Sequence, residues 1–186
     1  MLSLWLVFGT IAAVVVVWVA LKSNLERPKP PVEGATAQQQ ANADSLLAIV
    51  QRDSTNVDAR NQLADVLYDT GNWPDAIVQY RATVRMDSTR VPAIVDMGVC
   101  YFNLSDGVEA ERLFQLALTR DPHQVVALFN LGILHESKKE WKEALRYYHE
   151  TMQNNPPASM QQPLQEHMLQ VMKQAGEQAP PLPQTR

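Results

Sequence analysis

An all-α molecule is written into these 186 residues: one apolar helix, then a stack of helix pairs closed at both ends by capping helices. Two observations support this. The chain repeats itself every 34 residues over three consecutive units, and a separate run of twenty residues near the N-terminus carries no charge at all. A third observation sets the punctuation. Asp87-Ser88, Asp121-Pro122 and Asn155-Pro156 recur at the same place in each unit, and such pairs favour turns between helices.

The uncharged run is Leu2–Leu21. Twenty helical residues reach about 30 Å, the thickness of a bilayer's hydrocarbon core. Trp5 and Trp18 lie near its two ends, where indole rings favour the membrane interface. No basic residue precedes the run and its exit, Val-Ala-Leu-Lys, is a poor cleavage site, so a retained anchor over 1–21 is expected rather than a removed signal peptide. Lys22, Arg27 and Lys29 follow it. The positive-inside rule then places the bulk of the chain in the cytoplasm of a bacterial-type inner membrane, with the periplasm as the alternative.

Residues 22–37 contain Pro28, Pro30, Pro31 and Gly34 and read as a linker of about 20–24 Å reach. Residues 38–56 return to a helical pattern, with Leu46 where later units carry an aromatic, and read as a capping half-unit. Three full units follow, at 57–90, 91–124 and 125–158. Their seventh positions are Leu63, Met97 and Leu131; their eighth Ala64, Gly98 and Gly132; their twentieth Ala76, Ala110 and Ala144; their twenty-fourth Tyr80, Phe114 and Tyr148. Two antiparallel helices approach closely only where small residues meet, and a ring then fills the wedge beside that contact. Beyond Ala158 this pattern fails, although Leu164, Met168, Val171 and Met172 share one helical stripe. Residues 159–175 therefore read as a C-terminal capping helix, apolar on one side only. The last residues, 176–186, read as a disordered tail.

A period of 34 with small residues at 8 and 20 and an aromatic at 24 resembles the tetratricopeptide repeat (TPR) family, over roughly two-thirds of the chain. The resemblance implies a right-handed superhelix whose concave wall is built from the first helix of each unit, with positions 2, 5, 9 and 12 facing a ligand. It also allows one subclass to be set aside. Receptors of this family that grip a terminal carboxylate use basic and amide residues where this chain has Asn61, Asp65, Asp96, Val126 and Asn130; none is basic and two are acidic.

Chemistry is not legible elsewhere. The four histidines are scattered and His135-Glu136 is not followed by the second histidine of a zinc-protease motif. There is no phosphate-binding glycine loop and no nucleophile elbow. The single cysteine, Cys100, cannot form an internal disulfide and reads as a buried thiol. A net charge of −4 argues against nucleic acid. The expectation is a non-enzyme with no cofactor and no metal.

What remains is a surface. Asp58, Asn61, Asp65, Tyr68, Val95, Val99, Phe102, Phe129 and Ile133 are the expected partner-binding groove. The opening of the third unit, VVALFNLGIL, is apolar nearly all round and must be covered on both sides. A peptide or amphipathic helix of a protein partner fits such a groove, with basic residues opposite the aspartates. The alternative occupants are the chain itself, through its C-terminal helix or linker, or a second copy in a homo-oligomer. The function expected is a membrane-tethered scaffold or assembly factor. The rival readings are an integral structural subunit of a larger membrane complex and a regulatory partner of a membrane enzyme. Trp73 and Trp141, both at position 17, are expected to pack rather than to bind.

Overall fold

The computed structural model describes residues 35–176, which form eight helices and no strand. These are α1 (Ala37–Arg52), α2 (Val57–Asp69), α3 (Trp73–Met86), α4 (Val91–Asn103), α5 (Gly107–Arg120), α6 (Val125–Ser137), α7 (Trp141–Gln153) and α8 (Ala158–Ala175). Among the described residues, no helix is long and apolar enough to cross a membrane. The expected anchor at 2–21 lies outside the described residues, as do most of the linker and nearly all of the tail.

α1 opens on a capping box. The Thr36 hydroxyl accepts from the Gln39 amide at 3.2 Å while the Gln39 side chain accepts from the Thr36 amide at 2.9 Å, so two otherwise orphaned donors are satisfied reciprocally. Its buried face is Ala43, Leu46 and Val50. Then a regular rhythm sets in. A first helix of 13 residues, a three-residue turn, a second helix of 14 (13 in the third unit) and a four-residue turn return the chain to an equivalent place.

The short turn within each pair closes the same way three times. Gly71, Ser105 and Lys139 all take positive φ, at 75°, 63° and 60°. The amides of Asn72, Asp106 and Glu140 then reach back to the carbonyls of Leu67, Tyr101 and His135, each at 2.9 Å. This six-to-one bond is the Schellman closure, which satisfies carbonyls left over at a helix end. The longer turn uses an aspartate. Asp53 and Asp87 accept from the amide and hydroxyl of the threonine two residues on. These carboxylates thus tie the turn itself; the next helix has its own cap, as where Asn56 accepts from Ala59 at 2.9 Å.

The small-residue rule has a direct steric basis. A Cβ added at Gly98 would lie 2.6 Å from the Phe114 ring, and one at Gly132 would lie 2.2 Å from the Tyr148 ring. Both rings are fully buried. In the second and third units position 24 therefore packs onto position 8 with no room for a side chain between them, whereas the first unit keeps the single methyl of Ala64 at position 8. Buried residues from α1 through α6 form one continuous core, with a second cluster joining α7 to α8.

α8 follows the repeat pattern after all, displaced by three residues. Its buried Leu164, Met168 and Val171 keep the spacing of Ala93, Met97 and Cys100 in α4, and Pro163 takes the place of Pro92. An extra turn at the start of α8 absorbs the difference, since it has 18 residues where the earlier first helices have 13. In the shifted frame Leu169 stands where Ala64, Gly98 and Gly132 stand, and it is 57% exposed. The reason is architectural: no second helix among the described residues covers it.

Candidate partner-binding face

The first helices α2, α4 and α6, with α8 as a fourth, present the residues expected to bind. They fall into two neighbourhoods of different character.

At the α2–α4 junction the wall is acidic and aromatic. Tyr68, Val99 and Phe102 are half-buried, packed at the edge of the main core. Tyr68 stands edge-on to Trp73, with ring centroids 5.4 Å apart at 75°. Asp65 accepts from the Tyr80 hydroxyl at 2.8 Å and from Asn61 at 3.0 Å. Asp96, one helix along, is largely withdrawn from water beside Asp65 and Asp69. Burial first, then repulsion from those two carboxylates, pushes its acid up to about 6. Burial likewise raises Asp65, against the bonds from Tyr80 and Asn61. The three carboxylates repel one another, and no lysine or arginine forms a salt bridge with any of them among the described residues. A site that raises the free energy of its own carboxylates is matched to a cation.

Two expected groove residues belong elsewhere. Val95 is 1% exposed; at the start of α4 it points into the core shared with its neighbours, so it cannot contact a ligand. Asp58 is exposed but forms a salt bridge with Arg90, which also holds Asp87 at 3.1 Å. Its charge is engaged within the first unit, tying the start of α2 to the turn that precedes α4. Cys100 is fully buried and its thiol is pushed up to about 12, chiefly by burial, which suppresses the nucleophilic thiolate.

At the α6–α8 junction the wall is largely covered by the chain. Phe129 lies against Tyr148 and His167, with centroids 5.8 Å and 5.5 Å apart. Phe129 and Ile133 both pack on the cluster that includes Leu164, Met168 and Val171 of α8. Of the occupants expected for this stretch, the chain's own C-terminal helix is the one seen: α8 packs over Phe129 and Ile133, which stay half-buried. Behind them the Tyr148 hydroxyl donates to Glu136 Oε2 at 2.6 Å, and His167 Nδ1 bonds the same oxygen at 2.8 Å. In the shifted frame His167 is the counterpart of Asp96. The hydroxyl of the position-24 tyrosine thus meets an acid at both ends of the stack, alongside a second acid at one end and a histidine at the other.

Sequence reading placed Asp69 at the acidic end of the groove and Glu136 at a ligand-facing position 12, but gave Asp96 and His167 no place among the partner contacts. Asp96 sits at position 6, which the sequence reading weighed only as a carboxylate-gripping position and not among positions 2, 5, 9 and 12. His167 was hidden by the three-residue displacement; searching for Pro-x₄-Met (Pro92 to Met97, Pro163 to Met168) would have revealed it.

With this geometry in hand, comparison with known proteins is informative. Two family models described as tetratricopeptide repeat match, one over residues 61–125 and one over 127–157. No curated protein matches the sequence significantly. Among solved structures, a crystal structure of MamA is similar at 20% identity with a TM-score of 0.65, covering 72% of this chain and 77% of that one. A second MamA structure is similar at 19% identity and TM-score 0.58, covering 76% and 87%. The first TPR of Spaghetti (RPAP3) bound to the HSP90 peptide SRMEEVD is similar at 16% identity and TM-score 0.59, covering 67% and 97%. At these identities the likeness is one of fold. The 34-residue period, the ring-on-glycine contacts and the matched family models together show that the chain belongs to the tetratricopeptide repeat family.

Proposed function

We propose that the protein is a non-catalytic scaffold that captures a polypeptide segment along α2 and α4, and that the apolar run 2–21 tethers it to a membrane. The observation carrying this reading is the half-buried stripe of Tyr68, Val99 and Phe102 beside Asp65, Asp69 and Asp96. Apolar surface next to carboxylates that form no salt bridge fits a partner helix or peptide that has an apolar face and a basic residue. The peptide in the Spaghetti (RPAP3) structure, SRMEEVD, ends in an acidic stretch; such a segment would be repelled here. The tether rests on the absence of charge from Leu2 to Leu21, and it would hold an assembly factor close to membrane-bound clients.

The experiment is affinity capture by the full-length protein from detergent-solubilised membranes, comparing the native chain with Phe102→Asp. Phe102 is only half-buried, so the variant keeps its helical circular dichroism. Loss of the captured polypeptide, by tenfold or more, is expected. Undiminished capture by a folded variant would overturn the assignment.

A further inference from the structure

A cavity of about 410 Å³ opens between α6, α7 and α8, lined by Ile133, Glu136, Lys139, Trp141, His167 and Gln170 among others. Its origin can be read from the repeat. Position 12 is Tyr68 in the first unit and Glu136 in the third; position 17 is Trp73 in the first and Trp141 in the third. In the first unit the Tyr68 ring occupies the space beside the indole, edge-on at 5.4 Å. In the third, Glu136 is shorter and turns toward Tyr148 and His167. From the facing helix, Gln170 replaces Val99 in the shifted frame. The same compartment of the fold is filled by the chain's own tyrosine at one end of the stack and left open at the other.

We propose that this cavity is a receptor for a tyrosine side chain presented by the bound partner. The ring would stand against Trp141 and over Ile133 as Tyr68 stands against Trp73, and aromatic pairs of this kind favour edge-to-face geometry. The phenol has an acceptor waiting. Both bonds to Glu136 arrive at Oε2, which leaves Oε1 for a further hydroxyl donor. A largely covered acceptor of that kind discriminates against a ring that lacks the hydroxyl. An arginine could also stack on the indole, but Lys139 lines the same space and opposes a second cation. The proposal rests on the reading that the concave face binds a polypeptide, and adds which side chain is read at its C-terminal end.

The test uses the full-length protein, labelled with ¹⁵N at tryptophan indoles, titrated with N-acetyl-tyrosinamide. Trp141→Phe assigns the relevant indole signal. The Trp141 signal is expected to shift with saturation while the Trp73 signal stays in place. N-acetyl-phenylalaninamide is expected to bind at least tenfold more weakly, and Gln170→Trp, which fills the cavity from an exposed position, to abolish the shift. No shift at Trp141, an equal response to N-acetyl-argininamide, or binding that survives Gln170→Trp would overturn the proposal. Because the probe is a small molecule, the result is independent of partner capture through Phe102, and the two readings fail separately.

Discussion

Asp96 shows how one side chain links folding to binding. Its carboxyl is pushed up to about 6 by burial and by Asp65 and Asp69, against about 3.9 in an unfolded chain. A raised carboxyl favours the fold when protonated. That contribution is fully present below about pH 4 and is lost as pH rises through 6. Asp96→Asn, neutral at every pH, is therefore expected to stabilise the protein by on the order of 1–2 kcal/mol at pH 7.5 and to leave it unchanged near pH 4. Urea unfolding at the two pH values checks this; an equal effect at both would remove the electrostatic strain from the account. The same substitution is expected to weaken partner capture, because the strain is relieved when a cation arrives. A residue kept at a stability cost is the mark of a surface selected for something other than folding.

At the scale of elements, α8 closes the stack. Leu164, Met168, Val171 and Met172 are buried, and full burial of such side chains contributes about 1.5–3 kcal/mol each before entropy is counted. Against a typical domain stability of 5–15 kcal/mol, that is a large share. A chain ending at Asn155 is expected to melt at least about 10 °C lower. Hydrogen exchange should accelerate in α6 and α7 while α2 and α3 stay protected, since a solenoid loses stability from its open end. Uniform loss of protection would show instead that the units fold as one block. The repeat itself was legible in the sequence because its packing rule is local: a ring at position 24 admits only a small residue at position 8, and Ala64, Gly98 and Gly132 obey. The positive φ at position 15 was not, since Ser105 and Lys139 adopt it where only Gly71 advertises it. Nor was the covering of Phe129 and Ile133, because an extra helical turn shifts α8 out of the 34-residue frame.

Across the whole molecule, one concave face carries two kinds of chemistry. Its N-terminal half is acidic, with its aromatic space filled by Tyr68; its C-terminal half is sealed by α8 except for the cavity beside Trp141. The apolar positions of the groove could be picked out from sequence alone, as could the aspartates of α2. Their division between ligand and core could not, because Val95 and Val99 are alike in type and lie one turn apart on α4, and only tertiary packing decides that the first is covered and the second half-exposed. Taken together, the two proposals give a bound segment a direction, with its basic residue near Asp96 and its tyrosine near Trp141. The most direct measurement is photocrosslinking in native membranes, with a photoreactive residue placed in the full-length chain at Tyr68 or, on the exposed side of α3, at Val78. The account predicts a discrete crosslinked polypeptide from position 68 and none from position 78. Crosslinking from 78 alone, or equally from both, would contradict it.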